Sequence, residues 1–341
     1  MPRIPIPWGR QLCDDVQQVK RIFDAIRRAV ETSVPVKAGW GSGREDRMDG
    51  QTLAVLYNFA CHPLWGDPHG AITADFPGVA SRVIEENLGP DSMALFLQGA
   101  AGDVVDVKFK DFTRPRDIEP HGVKLGQSAL HALRNIATEH AGLSVESETI
   151  ALPRRTDISD RVAGLLRRQD ELIESLQFTT LNFETFLPLY MKYRVNSPHP
   201  PKEPSTIDTL NHQNMDKYLK NLRAIDELVR IQDDVETLRK HQSINDEAGE
   251  ATIPAEVQGI KIGDCVIVTS PAEVLTEVGL NVKKASPYKH TFVAAFSNGY
   301  LHYGPPADDY DKGGYEVTEC LLAPEWQVIF EKTAQEIIGR L

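Results

Sequence analysis

Two short islands of this sequence carry nearly all of its functional information. The first runs from Cys61-His62-Pro63 through Thr73-Ala74-Asp75 to Gln98-Gly99-Ala100-Ala101-Gly102-Asp103. The second runs from Pro271-Ala272-Glu273 through Asn298-Gly299-Tyr300-Leu301-His302-Tyr303 to Gly313-Gly314-Tyr315-Glu316. Imidazole, carboxylate and phenol are the groups of hydrolytic metal sites and of general acid–base chemistry. In both islands they stand where an apolar run stops.

Each residue also has a plainer reading. His62 is held extended or in a turn by Pro63, which suits a ligand whose second ring nitrogen is fixed elsewhere and equally suits a satisfied polar group. Asp75 is a carboxylate ligand or a helix cap. The small residues 99–103 permit close backbone approach or simply a tight turn packed on a helix. They match neither a phosphate-binding loop nor a dinucleotide fingerprint. Glu273 is a hard ligand or base just past a buried strand. Tyr303 and Tyr315 either pack or present phenols to a metal or an oxyanion. Cys61 sits beside His62, but on a strand its side chain faces the other way. Cys13, Cys61, Cys265 and Cys320 show no CxxC spacing and read as thiols of a reducing compartment.

The elements that must position these groups follow from periodicity. Residues 15–33 carry an amphipathic helical stripe, and 53–60 form a strand apolar on both faces. A helix over 77–88, a buried strand over 92–97 and a helix over about 121–140 follow. Residues 158–176 and 215–238 read as helices, joined by an irregular, aromatic- and proline-rich connector over 178–204 whose apolar side chains should meet another surface. This insertion is either a cover over the site or a structural arm. Strands then resume as a hairpin around Gly263-Asp264, followed by a strand over 290–296 and a helix over 324–338. The expected fold class is therefore α/β, a mixed sheet flanked by helices with a long helical insertion in the middle of the chain. The expected organisation is 1–150 as the first part of an α/β catalytic-like domain, 151–250 as the helical insertion, and 251–341 as the second part.

Composition bounds the partners. The chain has 341 residues, 41% hydrophobic and 25% charged, with a formal charge of −12. That balance argues against nucleic acid, whose phosphates need a basic footprint. The start has no apolar leader and no stretch is long enough to span a membrane, so the expected location is cytoplasmic.

Taken in order, NFACHP, ITADFPGVA, FLQGAAGD, PAEVLTEVGL, FSNGYLHY and GGYEV resemble the neutral/alkaline non-lysosomal ceramidase family. The resemblance covers roughly residues 15–150 and 250–340 and is weak across the central helices. It implies an α/β catalytic domain with one zinc ion, Zn2+, that activates water to cleave an N-acyl amide, hence a hydrolase of lipid metabolism. On this resemblance the metal-ligating residues are His62, Glu273 and Tyr303, with Ala272 in place of a glycine before the glutamate. Tyr315 assists at the substrate carbonyl, and His62 and Tyr315 are the catalytic pair. The resemblance also places the start of this chain just downstream of a His-Thr-His-Ser-type segment that carries another zinc histidine. The expectation is a site short of one ligand and weak in turnover, with His302 or His69 as stand-ins. Arg44 and Arg47 lie near a shortened arginine-bearing stretch. Two alternatives stay open: a hydrolase of a non-lipid amide or ester, and a non-catalytic binding or assembly protein. In the latter a second copy or another chain would cover a sheet edge left open at the N-terminal side.

Overall fold

The computed structural model describes residues 24, 25, 27–29, 31–40, 52–66, 72–106, 113, 117–134, 136–196 and 205–341. Most of the helix expected over 15–33, together with Cys13, Arg44, Arg47 and His69, lies outside the described residues.

The architecture is a mixed parallel and antiparallel sheet system flanked by helices. Strands β1 (Ala54–Phe59) and β2 (Met93–Gln98) pair in parallel. Helix α1 (Asp75–Leu88) crosses between them, and α2 (Glu119–Leu133) follows. Alternation along the strands decides which face is covered. Val55 and Tyr57 point inward with Ala80 and Ile84 of α1, packed by Phe96 and Leu125. Leu56 and its register partner Leu95 point to the opposite face and stay 45% and 44% exposed.

The second sheet has the order β3-β4-β5-β7: β3 is Leu143–Pro153, β4 Thr252–Ile262, β5 Cys265–Thr269 and β7 His290–Ala294. β3 pairs with β4 antiparallel along its whole length, from Leu143↔Ile262 to Pro153↔Thr252. The expected hairpin is β4–β5, turned at Gly263, whose φ of 57° is left-handed and suits glycine. β5 then runs parallel to β7. The two sheets meet where the Ala295 backbone amide donates to Gln98 O at 2.9 Å and the Asn58 side-chain Nδ2 donates to Val293 O at 3.0 Å.

The main core lies between the β3–β7 sheet and two helices, α6 (Thr276–Ala285) and α8 (Trp326–Arg340). Trp326, Phe330, Ile337 and Ile338 of α8 are buried against Val257, Val266 and Val268. Each such side chain stabilises the fold by roughly 1.5–3 kcal/mol.

All of the helical segment is inserted between β3 and β4. Helix α3 (Ile158–Ser175) packs on the 43-residue α5 (Thr206–Ala248) through Leu172, Ala224, Ile231 and Val235. At 1.5 Å per residue α5 is about 64 Å long. It extends beyond the expected 215–238 because a Ser205–Asp208 capping box starts it and Gly249, with φ of 64°, ends it. The connector is more regular than expected: it contains α4 (Phe183–Tyr190) and one π-helical turn, Met191–Val195. Phe186 is buried there against Tyr190 and Tyr218, whereas Phe178 and Phe183 face outward at 86% and 67% exposure. Among the described residues no helix is long and apolar enough to cross a membrane.

Candidate functional site

The two sequence islands converge at one end of the sheet system. Strand β6 (Glu273–Val274) pairs in parallel with β8 (Tyr303–Gly304), and Glu273 and Tyr303 are register partners. Residues directly opposite on neighbouring strands project to the same face, so their side chains are neighbours. His62 reaches the same point from just past the end of β1. Its amide donates to Val104 O at 3.0 Å, and the Val104 amide closes a turn onto Ala101 O. Inside that turn the Gly102 amide donates to Val274 O at 3.0 Å, which ties the first island to β6. Only glycine fits there, since a Cβ at residue 102 would stand 2.7 Å from Glu273 O. Asp103 completes the junction by accepting from the amide and hydroxyl of Thr276 at the start of α6. The FLQGAAGD island is therefore a structural junction between the strands that carry the site.

Nε2 of His62 lies 3.1 Å from Oε2 of Glu273 and 3.2 Å from the Tyr303 hydroxyl. Nδ1 faces Val104 O at 3.1 Å. With Nδ1–H donating to that carbonyl, a neutral ring presents the Nε2 lone pair to a carboxylate and a phenol oxygen. An imidazole lone pair and a carboxylate share a point only with a cation between them, a proton or a metal. Without a metal the proton serves: the hydrogen bond to Glu273 pulls the His62 pKa upward against the opposing effect of burial. Burial pushes the Glu273 carboxyl up, but hydrogen bonds from His62 and Tyr300 outweigh it and the net shift is downward. Burial first, then the Glu273 charge, drive the Tyr303 phenol far up, so it keeps its proton unless a cation displaces it. Donor atoms bound tetrahedrally to one zinc at ~2.0 Å stand about 3.3 Å apart, close to the two separations at Nε2. The donor set and its spacing fit zinc.

Tyr300 was not singled out from the sequence, yet its hydroxyl donates to Oε1 of Glu273 at 2.6 Å and holds the carboxylate in place. Tyr315 opens the short helix α7 (Tyr315–Thr318) after two left-handed glycines. Its ring meets that of Tyr303 edge-on at 5.5 Å, and it is 57% exposed. Burial, then the charges of Glu319 and Glu273, raise its pKa and keep its hydroxyl a donor. Asp75 is buried at the head of α1 with φ of 52°; Oδ1 accepts from the adjacent Phe76 amide, and the helix start has no side-chain cap hydrogen bond. Cys265 and Cys320 are buried thiols.

A second cluster adjoins the first. His302 precedes β8 and takes a left-handed φ of 57°. Its Nδ1 lies 3.4 Å from Oε2 of Glu319, its ring meets His241 of α5 edge-on at 5.4 Å, and Tyr300 packs on it at 5.1 Å. His241, His302 and Glu319 each offer a donor atom within 4.8 Å of the others, so this group could coordinate a metal ion. His302 therefore faces a different cluster rather than His62. His241 and Glu319 carry no sequence motif. His241 continues the apolar stripe of Val235 and Leu238, where a histidine reads as one more core residue.

No family model matches the sequence, and no curated protein matches it. Solved ceramidase structures are similar to this chain. The neutral ceramidase from Pseudomonas aeruginosa is 15% identical, with a TM-score of 0.47 over 85% of this chain and 45% of that one. A structure titled "Ceramidase complexed with C2" is 15% identical, with a TM-score of 0.48 over 85% and 46%. The chain spans less than half the length of either.

Proposed function

We propose that this chain is a ceramidase-like, zinc-dependent hydrolase of N-acyl amide bonds, with His62, Glu273 and Tyr303 as the protein ligands. The observation that carries this reading is the meeting of one imidazole, one carboxylate and one phenol at separations of 3.1 and 3.2 Å about Nε2. Zinc held by these groups would supply a Lewis acid and water of lowered pKa. The protein's part is positional. Val104 O fixes the His62 tautomer and Tyr300 fixes the carboxylate. The Tyr315 hydroxyl, on an exposed ring edge-on to Tyr303, would donate to the substrate carbonyl oxygen as it becomes tetrahedral. Its exposure leaves room for a lipid-like or a simpler acyl chain.

Hydrolysis of N-acyl amides, ceramides included, by the zinc-loaded chain is the test. Turnover is expected, with His62→Ala and Glu273→Ala abolishing it while the fold remains. Tyr315→Phe should lower kcat by about 10²–10³-fold, as for loss of one oxyanion donor. Turnover insensitive to His62→Ala and Glu273→Ala would overturn the assignment.

The assembly reading is favoured by one specific feature, the open face of β1–β2. Leu56, Met93 and Leu95 lie together there, 45%, 55% and 44% exposed. A second copy or another chain seated on this face would bury it. Sedimentation of the native chain against Leu56→Lys tests pairing with a second copy: a monomer in both cases removes that form of the assembly reading.

A further inference from the structure

We infer that His241, His302 and Glu319 form a second transition-metal site, of the zinc class, which ties the C-terminal end of α5 to the segment that leads into β8 at Tyr303. This goes beyond the hydrolase reading and does not depend on it. The three side chains come from distant parts of the chain: the inserted helix, the strand-end loop and the residue that closes α7. Their donor atoms nevertheless gather within 4.8 Å.

Three features distinguish the cluster from an ordinary ion pair. His302 and Glu319 at 3.4 Å would suffice for a pair, with no need of His241. His241 is only 3% exposed, and its Nδ1 is buried without a hydrogen-bond partner. Buried polar atoms in native proteins nearly always have a partner, and an orphaned one calls for an explanation such as an ion. His302 adopts a left-handed φ of 57°, disfavoured for a residue with a Cβ, and that conformation accompanies a ring set against His241 and Glu319.

Two imidazoles and one carboxylate are a donor set suited to zinc, with a fourth position open to water. Tyr300 stands between the two clusters, its hydroxyl on Glu273 and its ring on His302. Occupation of the second site would fix the wall on which the first is built.

The test is zinc content of the full chain after metal removal, zinc addition and gel filtration. His62→Ala disables the first cluster and should leave about one equivalent, falling below about a tenth when Glu319→Gln is added. In the otherwise native chain Glu319→Gln should lower the content by about one equivalent, whether or not the first site fills. Zinc should raise the Tm of the His62→Ala protein and leave that of the double variant unchanged, because a ligand stabilises only the state that binds it. A His62→Ala chain that folds but holds no zinc would overturn the inference. So would zinc content unchanged by Glu319→Gln and by His241→Ala.

Discussion

His62 and Glu273 are 211 residues apart in sequence, and their side chains meet at 3.1 Å. The contact is produced by backbone, not by the pair itself: the turn over 101–104 holds His62 against Val104 O and β6 against Gly102 N. Removing either side chain should therefore leave the junction, and hence the fold, in place.

Tyr300→Phe deletes the donor to Oε1 of Glu273 without changing the shape of the ring. Zinc affinity should fall about 10–100-fold, the usual effect of losing a group that orients a ligand. Global stability should change by only about 1 kcal/mol, a single hydrogen bond. Competition with a chromogenic chelator measures the first, and urea unfolding the second.

Gly102→Ala would press a Cβ to 2.7 Å from Glu273 O and 2.6 Å from Cδ1 of Leu275. Overpacking of this kind costs about 1–3 kcal/mol. Because the strain falls on β6, zinc content should drop along with the urea midpoint. A variant of native stability that has lost zinc would show the turn to be a local support of the site.

His241 gives the metal-free protein a pH dependence of defined sign. Burial, then the neighbouring His302, lower its pKa from 6.5 to about 4. Between those values the unfolded chain takes up a proton that the folded chain refuses. Stability from this residue is thus complete above pH 6.5, is lost as the pH falls toward 4, and levels off below. The loss is at most roughly 3 kcal/mol. Urea unfolding of chelated protein at pH 7, 6, 5 and 4 should show the slope, and His241→Leu should flatten it.

Arg155 joins the insertion to the site. Its buried guanidinium grips Asp157 with two hydrogen bonds of 2.8 Å, donates to Val317 O in α7 and lies over the Tyr310 ring. Arg155→Ala should cost about 1–3 kcal/mol, chiefly by leaving the buried Val317 O without its donor, since Asp157 is half-exposed and keeps Arg161 as a partner. Differential scanning calorimetry would register it as a lowered Tm.

The sequence made the large elements legible because each carried a single clear period. The apolar runs at 53–60 and 92–97, the Gly263-Asp264 turn and the helix at 158–176 all stand within a few residues of their observed limits. β3 escaped notice because Leu143 and Val145 are exposed while only Ile150 and Leu152 are buried, so its alternation shifts face along its length. The connector looked irregular because Pro188 lies inside α4, where a proline normally argues for a break. Of the site, the residues that recur in motif order were legible. Tyr300 was hidden by its neighbours Tyr303 and His302. His241 was hidden by a helix stripe in which burial alone explains each residue, and Glu319 by having no partner nearby in sequence.

Anomalous diffraction at the zinc edge, from crystals of the zinc-loaded chain, tests the central claim most directly. A peak bounded by Nε2 of His62, a carboxylate oxygen of Glu273 and the Tyr303 hydroxyl is the expected result, with ligand distances of about 2.0–2.2 Å. A fully loaded crystal with no peak at that point, and His62 still paired to Glu273 at its metal-free distance, would contradict it.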